Sequence, residues 1–353
     1  MAAEGQAPVN GVVRVSERQS LEAARGGGED AFARLVEPYR AELLAHCYRM
    51  LGSVPDAEDA LQEALLGAWR GIGGFEGRSS LRSWLYTIAT HACLRAIERR
   101  PKRVLPLDYA PAADPHDGPG EPLVESVWVD PFPDEQVQIP EGLAGPEARY
   151  EQRESVELAF IAALQNLQPR QRAVLILREV LGFSGDEVAQ ALDTTPAAVY
   201  SALQRAHAAV DGRLPERSQQ ATLHSLDDRE LREVVDGFVD AWERDDVDAL
   251  AAMLTEDAVI AMPPMPTWFS GREAVGAFLR GWPLSGRMRW HLVPTRANGQ
   301  LAFGAYRWDA ERKGALFHSI TLLTLEGRRI KDITAFLTPE IFERFGLPAE
   351  IRR

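Results

Sequence analysis

Cysteine is scarce in this chain of 353 residues: only Cys47 and Cys93 occur, both set in apolar helical patterns. Two such residues provide no disulfide framework and no cysteine-based zinc site, and they are expected as buried thiols in a reducing compartment. Also missing are a Gly-rich phosphate loop, a metal-ligand spacing and a nucleophile–base pair, so no catalytic residue, no metal and no cofactor is expected. No signal peptide is visible and no apolar run is long enough to span a bilayer, which predicts a cytoplasmic protein without membrane contact. Positive charge is in deficit as well, with 39 Lys and Arg against 52 Asp and Glu and a formal net charge of −13. Phosphate-binding surfaces usually carry the opposite balance, so any nucleic-acid contact must come from local clustering. Such a cluster exists, because Arg78, Arg82, Arg95, Arg99, Arg100, Lys102 and Arg103 crowd one region and the segment after them is acidic. Apolar residues are plentiful at 45%, enough for the two or three domains that this length implies.

The most informative stretch is Phe183–Val210, FSGDEVAQALDTTPAAVYSALQRAHAAV. Ser184 with Glu187 three residues later makes a capping box, and Val188, Ala189 and Leu192 give the helix an apolar face. Thr195-Pro196 restarts a helix, since Pro suits the first helical position. There Val199, Leu203, Ala206 and Val210 form one stripe, with Tyr200, Ser201, Gln204, Arg205 and His207 opposite. The pattern is helix-turn-helix with a polar, partly cationic outer face suited to a major groove. An ordinary helical hairpin in a bundle remains the alternative reading of this segment alone.

Composition divides the chain. Residues 1–20 are small, polar and irregular, and are expected to be disordered. Residues 21–100 are helical in pattern. Residues 101–146 are rich in Pro and acid and read as a linker, although Val127, Trp128, Val129 and Phe132 could dock on a neighbouring domain. Residues 147–214 are helical again, and Pro215–Ser225 is a short polar connection. From Leu226 an α+β pattern begins, with helices at Leu231–Trp242 and Val247–Leu254. A strand at Asp257–Met262 and a helix at Glu273–Leu279 follow. Strand-like runs at Met288–Pro294, Leu301–Trp308, Leu316–Leu325 and Ile330–Phe336 predict a curled antiparallel sheet.

Asp56–Arg100, DAEDALQEALLGAWRGIGGFEGRSSLRSWLYTIATHACLRAIERR, taken with LQNLQPRQRAVLILREVLGFS at Leu164–Ser184, resembles the bacterial sigma-70 factors of the extracytoplasmic-function group. The resemblance runs over roughly Arg25–Arg213, in two blocks of matching order and spacing. It implies a multidomain fold with two all-α sigma domains: region 2 at 21–100, and region 4, with the helix-turn-helix, at 147–214. By resemblance, Asp56, Glu58, Asp59, Gln62 and Glu63 grip the polymerase clamp; alternatively, the acids merely complement the helix dipole. The same resemblance gives −10 recognition and melting to Phe75, Arg78, Ser79, Ser80, Arg82, His91, Arg95 and Arg99. Trp84 and Tyr86, at helical spacing with Leu85 and Ile88, read better as core than as base-stacking groups. Reading of the −35 element falls to Tyr200, Ser201, Gln204, Arg205 and His207, since Gln suits adenine and Arg suits guanine. His91 departs from the family's Asn and His207 from its Arg, which puts the −10 preference and the −35 affinity in question. Arg170 and Arg172 are candidate backbone contacts.

The remaining segment, 226–346, resembles the SnoaL-like, ketosteroid-isomerase-like cone fold. Its cues are FVDAWERDDVDALAAMLTEDAVIAMPP, SGREAVGAFL and the four closing strands. Such a cone encloses a pocket, for which Met262, Trp268, Trp290, His318 and Asp332 are candidate lining residues. Aromatic filling of a small cone explains them equally well. The expected function is that of an alternative-type sigma factor, not an enzyme, that binds RNA polymerase core through clamp and flap regions and directs initiation at promoter DNA. The C-terminal domain is expected to modulate it in cis, and the need for a separate anti-sigma factor stays open. The competing reading is a small-molecule-responsive regulator or an enzyme working through the cone pocket, with a small apolar ligand.

Overall fold

The structure is a computed structural model that describes residues 19–123, 127–136 and 155–352. The expected disordered tail up to residue 18, part of the linker and the first residues of the second helical block lie outside these residues. In the first block, helices Glu29–Val36, Arg40–Leu51, Val54–Gly71 and Leu81–Ile97 pack together. Arg40–Leu51 is the central helix and buries Tyr48 and Met50 completely. It stops at Gly52, whose left-handed φ of 68° lets its N–H reach the Tyr48 carbonyl. Cys47 and Cys93 are fully buried, and desolvation, then the neighbouring Cys47 thiol, pushes the Cys93 thiol up.

The second block holds helices Leu158–Gln165 and Pro169–Leu175, the latter continuing as a π-turn to Val180. Gly185–Ala191 and Pro196–Val210 follow as a helix-turn-helix. Both capping expectations appear in the geometry. Ser184 and Glu187 exchange reciprocal cap bonds, and Thr195 accepts from the Ala198 N–H ahead of Pro196.

The C-terminal domain opens with helices Gln219–His224, Asp228–Glu243 and Val247–Met253. Its strands are β1 (Leu254–Ala261), β2 (Trp268–Ser270), β3 (Trp290–Ala297), β4 (Gln300–Asp309), β5 (Gly314–Glu326), β6 (Arg329–Phe336) and β7 (Glu350–Arg352). Helix Arg272–Gly281 follows β2. The sheet order is β2-β1-β6-β5-β4-β3, with β7 on β5. The expectation of an antiparallel sheet needs correction at one place, because β1 and β6 pair in parallel, Ile260 opposite Ile333. The chain returns to β1 only after crossing the whole meander, so the two strands enter from the same end. β2 and β7, three residues each, are too short to show the two-residue alternation in sequence.

Aromatic side chains pack against one another inside the cone. Phe238 lies 5.0 Å from Phe303 and 5.5 Å from Trp242, and Phe269 stacks on Phe278 at 4.4 Å. The other face of the sheet is also covered: Tyr306, Phe317, Ile320, Leu322, Phe336 and Phe345 share one apolar cluster with Tyr48, Phe132 and Leu164. The three parts therefore form one body.

The linker follows the seam. Val127, Trp128, Val129 and Phe132 are buried, matching the docking expectation. Upstream, the Ala113 N–H bonds to the Trp268 carbonyl and the Trp268 indole donates to the Ala110 carbonyl. At Gly118, with φ of 80°, a Cβ would sit 2.3 Å from the Trp282 ring, so the strap lies directly on that side chain.

Candidate promoter and polymerase interface

Helix Val54–Gly71 is amphipathic, with Ala57, Ala60, Leu61, Ala64 and Ala68 inward and Glu58, Asp59, Gln62 and Glu63 exposed. The linker caps its start: the Val54 N–H bonds to Asp130 Oδ2 at 3.1 Å, and burial pushes that carboxyl up. Asp56 does not share the exposed face. It is buried and ion-paired with Arg100 and, at 2.6 Å, with Arg103, so its placement corrects the expectation of a free clamp contact. The three exposed acids also have internal partners: Arg344 on Glu58 at 3.0 Å, Arg100 on Asp59 at 3.2 Å and Arg95 on Glu63 at 2.9 Å. Pairs at the surface are worth about 0–1 kcal/mol and exchange readily for an external cation.

The residues expected at −10 divide into free and occupied groups. Arg78 is exposed beside Glu76, and Arg99 is exposed; Ser79 is half-buried. Phe75 is buried and packs at a tilt against Trp84, 4.9 Å between ring centres, so both belong to the core of the loop. Tyr86 is core as well. Ser80 caps helix Leu81–Ile97 by accepting from Ser83 N–H. Arg82 reaches Glu42, and its guanidinium lies over Tyr86 at 4.8 Å and over Phe183 of the second block at 5.0 Å. His91 Nε2 is 2.9 Å from the carbonyl of Ala191, at the end of the first helix of the helix-turn-helix. Arg82 and His91 are thus covered by the second helical block.

The recognition helix is open. Tyr200, Ser201, Gln204, Arg205 and His207 are all exposed along one face, while Val199, Ala206 and Val210 are buried opposite. His207 stands 4.0 Å from both Glu179 and Asp211. Arg172 requires correction: it is buried, donates to the carbonyls of Met50, Gln165 and Leu167, and holds the two helical blocks together. Arg170 reaches back to the Leu192 carbonyl.

The expected pocket is not assembled. Trp290 lines a cleft of about 440 Å³ together with Trp308, His291 and Glu243, the last two 2.8 Å apart. The four others lie elsewhere. Met262 is buried in the core, Trp268 binds the linker, and His318 packs against Trp290 at 5.2 Å, where burial and then Arg307 lower it to about 4. Asp332 lies opposite Thr324, and burial raises it to about 6. Strand alternation turns it away from Ile333, which shares the interior cluster with Trp290.

Sequence reasoning missed the junction itself. Asn298, fully buried in the β3–β4 turn, accepts from Phe132 N–H at 2.8 Å and donates to Tyr48 Oη at 2.8 Å and the Val156 carbonyl at 2.7 Å. Beside it Glu157 takes the N–H groups of Gln219 and Gln220, and Gln220 reaches the Gly299 carbonyl. Asn-Gly between two strands signals a tight turn. Nothing in the pattern says where that turn inserts.

Residues 35–103 match Sigma-70 region 2, residues 157–210 match Sigma-70 region 4, and residues 235–333 match the SnoaL-like domain. The chain is 40% identical over 338 residues to the ECF RNA polymerase sigma factor SigG of Mycobacterium tuberculosis, covering 94% of this chain and 87% of that protein. The Escherichia coli ECF RNA polymerase sigma-E factor is 26% identical over 204 residues, 57% of this chain and 95% of its own. The crystal structure of the Mycobacterium tuberculosis extracytoplasmic function sigma factor SigJ shares the fold, with a TM-score of 0.54 and 22% identity over 88% of this chain and 97% of that one. Among the described residues no helix is long and apolar enough to cross a membrane. With helical blocks of both sigma regions, an open recognition helix and a relative that extends through the C-terminal domain, the chain belongs to the ECF RNA polymerase sigma factors, which direct promoter-specific initiation of transcription.

Proposed function

We propose that this sigma factor is held in a closed form by its own SnoaL-like domain, and that engaging polymerase core requires opening it. The observation that carries this reading is Asn298, whose single buried amide joins region 2 through Tyr48, the linker through Phe132 and region 4 through Val156. Region 2 and region 4 serve separate promoter elements, so both must be free to move apart on the polymerase. In the closed form Arg82 and His91 face region 4, while the −35 helix is exposed. Arg344 of the C-terminal domain also occupies Glu58 on the clamp-type helix.

The residue roles follow the same reading. Glu58, Asp59, Gln62 and Glu63 meet the clamp once their internal cations are displaced, and Asp56 shapes that helix from beneath. Gln204 and Arg205 read base edges at −35, and Arg78 and Arg99 hold phosphates near −10. Reconstituted run-off transcription tests the cis control, comparing the full chain with one ending at Ser225. Higher core affinity and more promoter-specific transcript from the shorter chain support the closed form. Equal activity of the two chains refutes it.

A further inference from the structure

Between region 2, the start of the linker and region 4 lies a cleft of about 360 Å³, lined among others by Asp56, Arg100, Lys102, Arg103, Asn166 and Arg172. That volume falls at the small end of the range for small-molecule sites. Its cations are unusual for a chain of net charge −13. Arg172 is 4% exposed, yet its four side-chain bonds all go to neutral oxygens: the carbonyls of Met50, Gln165 and Leu167 and the Gln165 amide. Among the described residues its Nε is buried without a partner, and so is the Nε of Arg103. A buried cation without an anionic counterpart is costly, and an orphaned donor adds to the cost. Burial lowers Arg172 to about 10.

Among the described residues, the acids around the cleft leave this charge uncancelled. Asp56 is shared between Arg100 and Arg103, Asp59 pairs with Arg100, and Asp130 acts on Arg103 from the linker side. Among the described residues the exposed Lys102 bonds a neutral group, Asn166 Oδ1, at 2.6 Å. Lys102 on the linker and Arg172 on region 4 are the cations left over.

We propose that this cleft binds a small phosphate-bearing anion, bridging Lys102 and Arg103 on the linker to Arg172 on region 4. Guanidinium groups match phosphate geometry, and with the Nε atoms of Arg172 and Arg103 buried, these two act on the ligand through their charge while the exposed Lys102 supplies the donor. A DNA backbone fits the cleft less well, because Arg172 is almost fully buried. A ligand that touches both walls stabilises the arrangement that brings them together. The site would then favour the closed form, a consequence that rests on the reading given under Proposed function.

The test is calorimetric titration of the full chain with inorganic pyrophosphate at fixed ionic strength, with sodium chloride and a short DNA duplex as parallel titrants. Saturable one-to-one pyrophosphate binding is expected. Lys102→Ala removes an exposed side chain and should weaken it roughly tenfold. Arg172→Gln should abolish binding where the variant still folds. No saturation beyond the chloride blank, or equal affinity in Lys102→Ala, overturns the site. Duplex binding that depends on Lys102 while pyrophosphate does not bind overturns it too, in favour of a DNA contact. Pyrophosphate that binds yet leaves core affinity unchanged keeps the site and refutes its coupling to the closed form.

Discussion

Replacing Asn298 by Gly removes the junction amide while keeping the backbone, because the residue sits at φ of 53°, where glycine is at ease. Three side-chain hydrogen bonds disappear: from Phe132 N–H, to Tyr48 Oη and to the Val156 carbonyl. Tyr48 keeps its bond to the Asp130 carbonyl, and the Phe132 carbonyl keeps the N–H of residue 298. The Phe132 N–H and the Val156 carbonyl are left without those partners inside a packed seam. At about 1 kcal/mol per lost bond, with more for groups left unsatisfied, the closed form should lose about 2–4 kcal/mol. That is roughly 30- to 1,000-fold in the closed-to-open ratio. Two measurements on the full chain check it. Hydrogen exchange should show the Phe132 amide losing protection, and titration with polymerase core should show tighter binding. Lost protection at Phe132 with core affinity changed less than twofold would refute the argument, since the seam would have opened without consequence for the polymerase.

Two other outcomes are expected. Arg205→Ala should cost about 1–3 kcal/mol at one base pair of the −35 element and relax specificity there, measured by binding to a panel of singly substituted duplexes; a uniform loss across the panel would make Arg205 a phosphate contact instead. Asp332 is raised from 3.8 to about 6, so the folded protein binds the extra proton and stability falls as pH rises through that window. Asp332→Asn should remove this fall and leave the variant the more stable one above pH 6, as read by thermal unfolding at several pH values.

The amount of structure legible in the sequence varied with the kind of interaction. The helix-turn-helix was legible in detail because its signals are local: a capping box at Ser184 and Glu187, a Thr195-Pro196 start and a 3–4 stripe through Val199, Ala206 and Val210. The four long strands β3–β6 were legible for the same reason, and β2 and β7 were too short to be. The site residues fared unevenly. Tyr200, Ser201, Gln204 and Arg205 lie on the exposed face that the pattern implied, whereas Asp56 and Arg172 had the composition of surface residues and turned out buried. Each has a partner distant in sequence, Arg103 for Asp56 and Met50 for Arg172, and no periodicity encodes such a pairing.

The sequence by itself determined three units and their order, the caps, the faces and the two sigma-type blocks, all of which follow from short-range sterics and apolar spacing. Only the tertiary structure decided how the units meet. The linker reads as a spacer, yet it lies along a seam with Trp128 and Phe132 buried, and an ordinary Asn-Gly turn delivers Asn298 to three partners at once. Those contacts depend on complementary surfaces from segments 142 to 250 residues apart, which are brought together only when their apolar faces leave water.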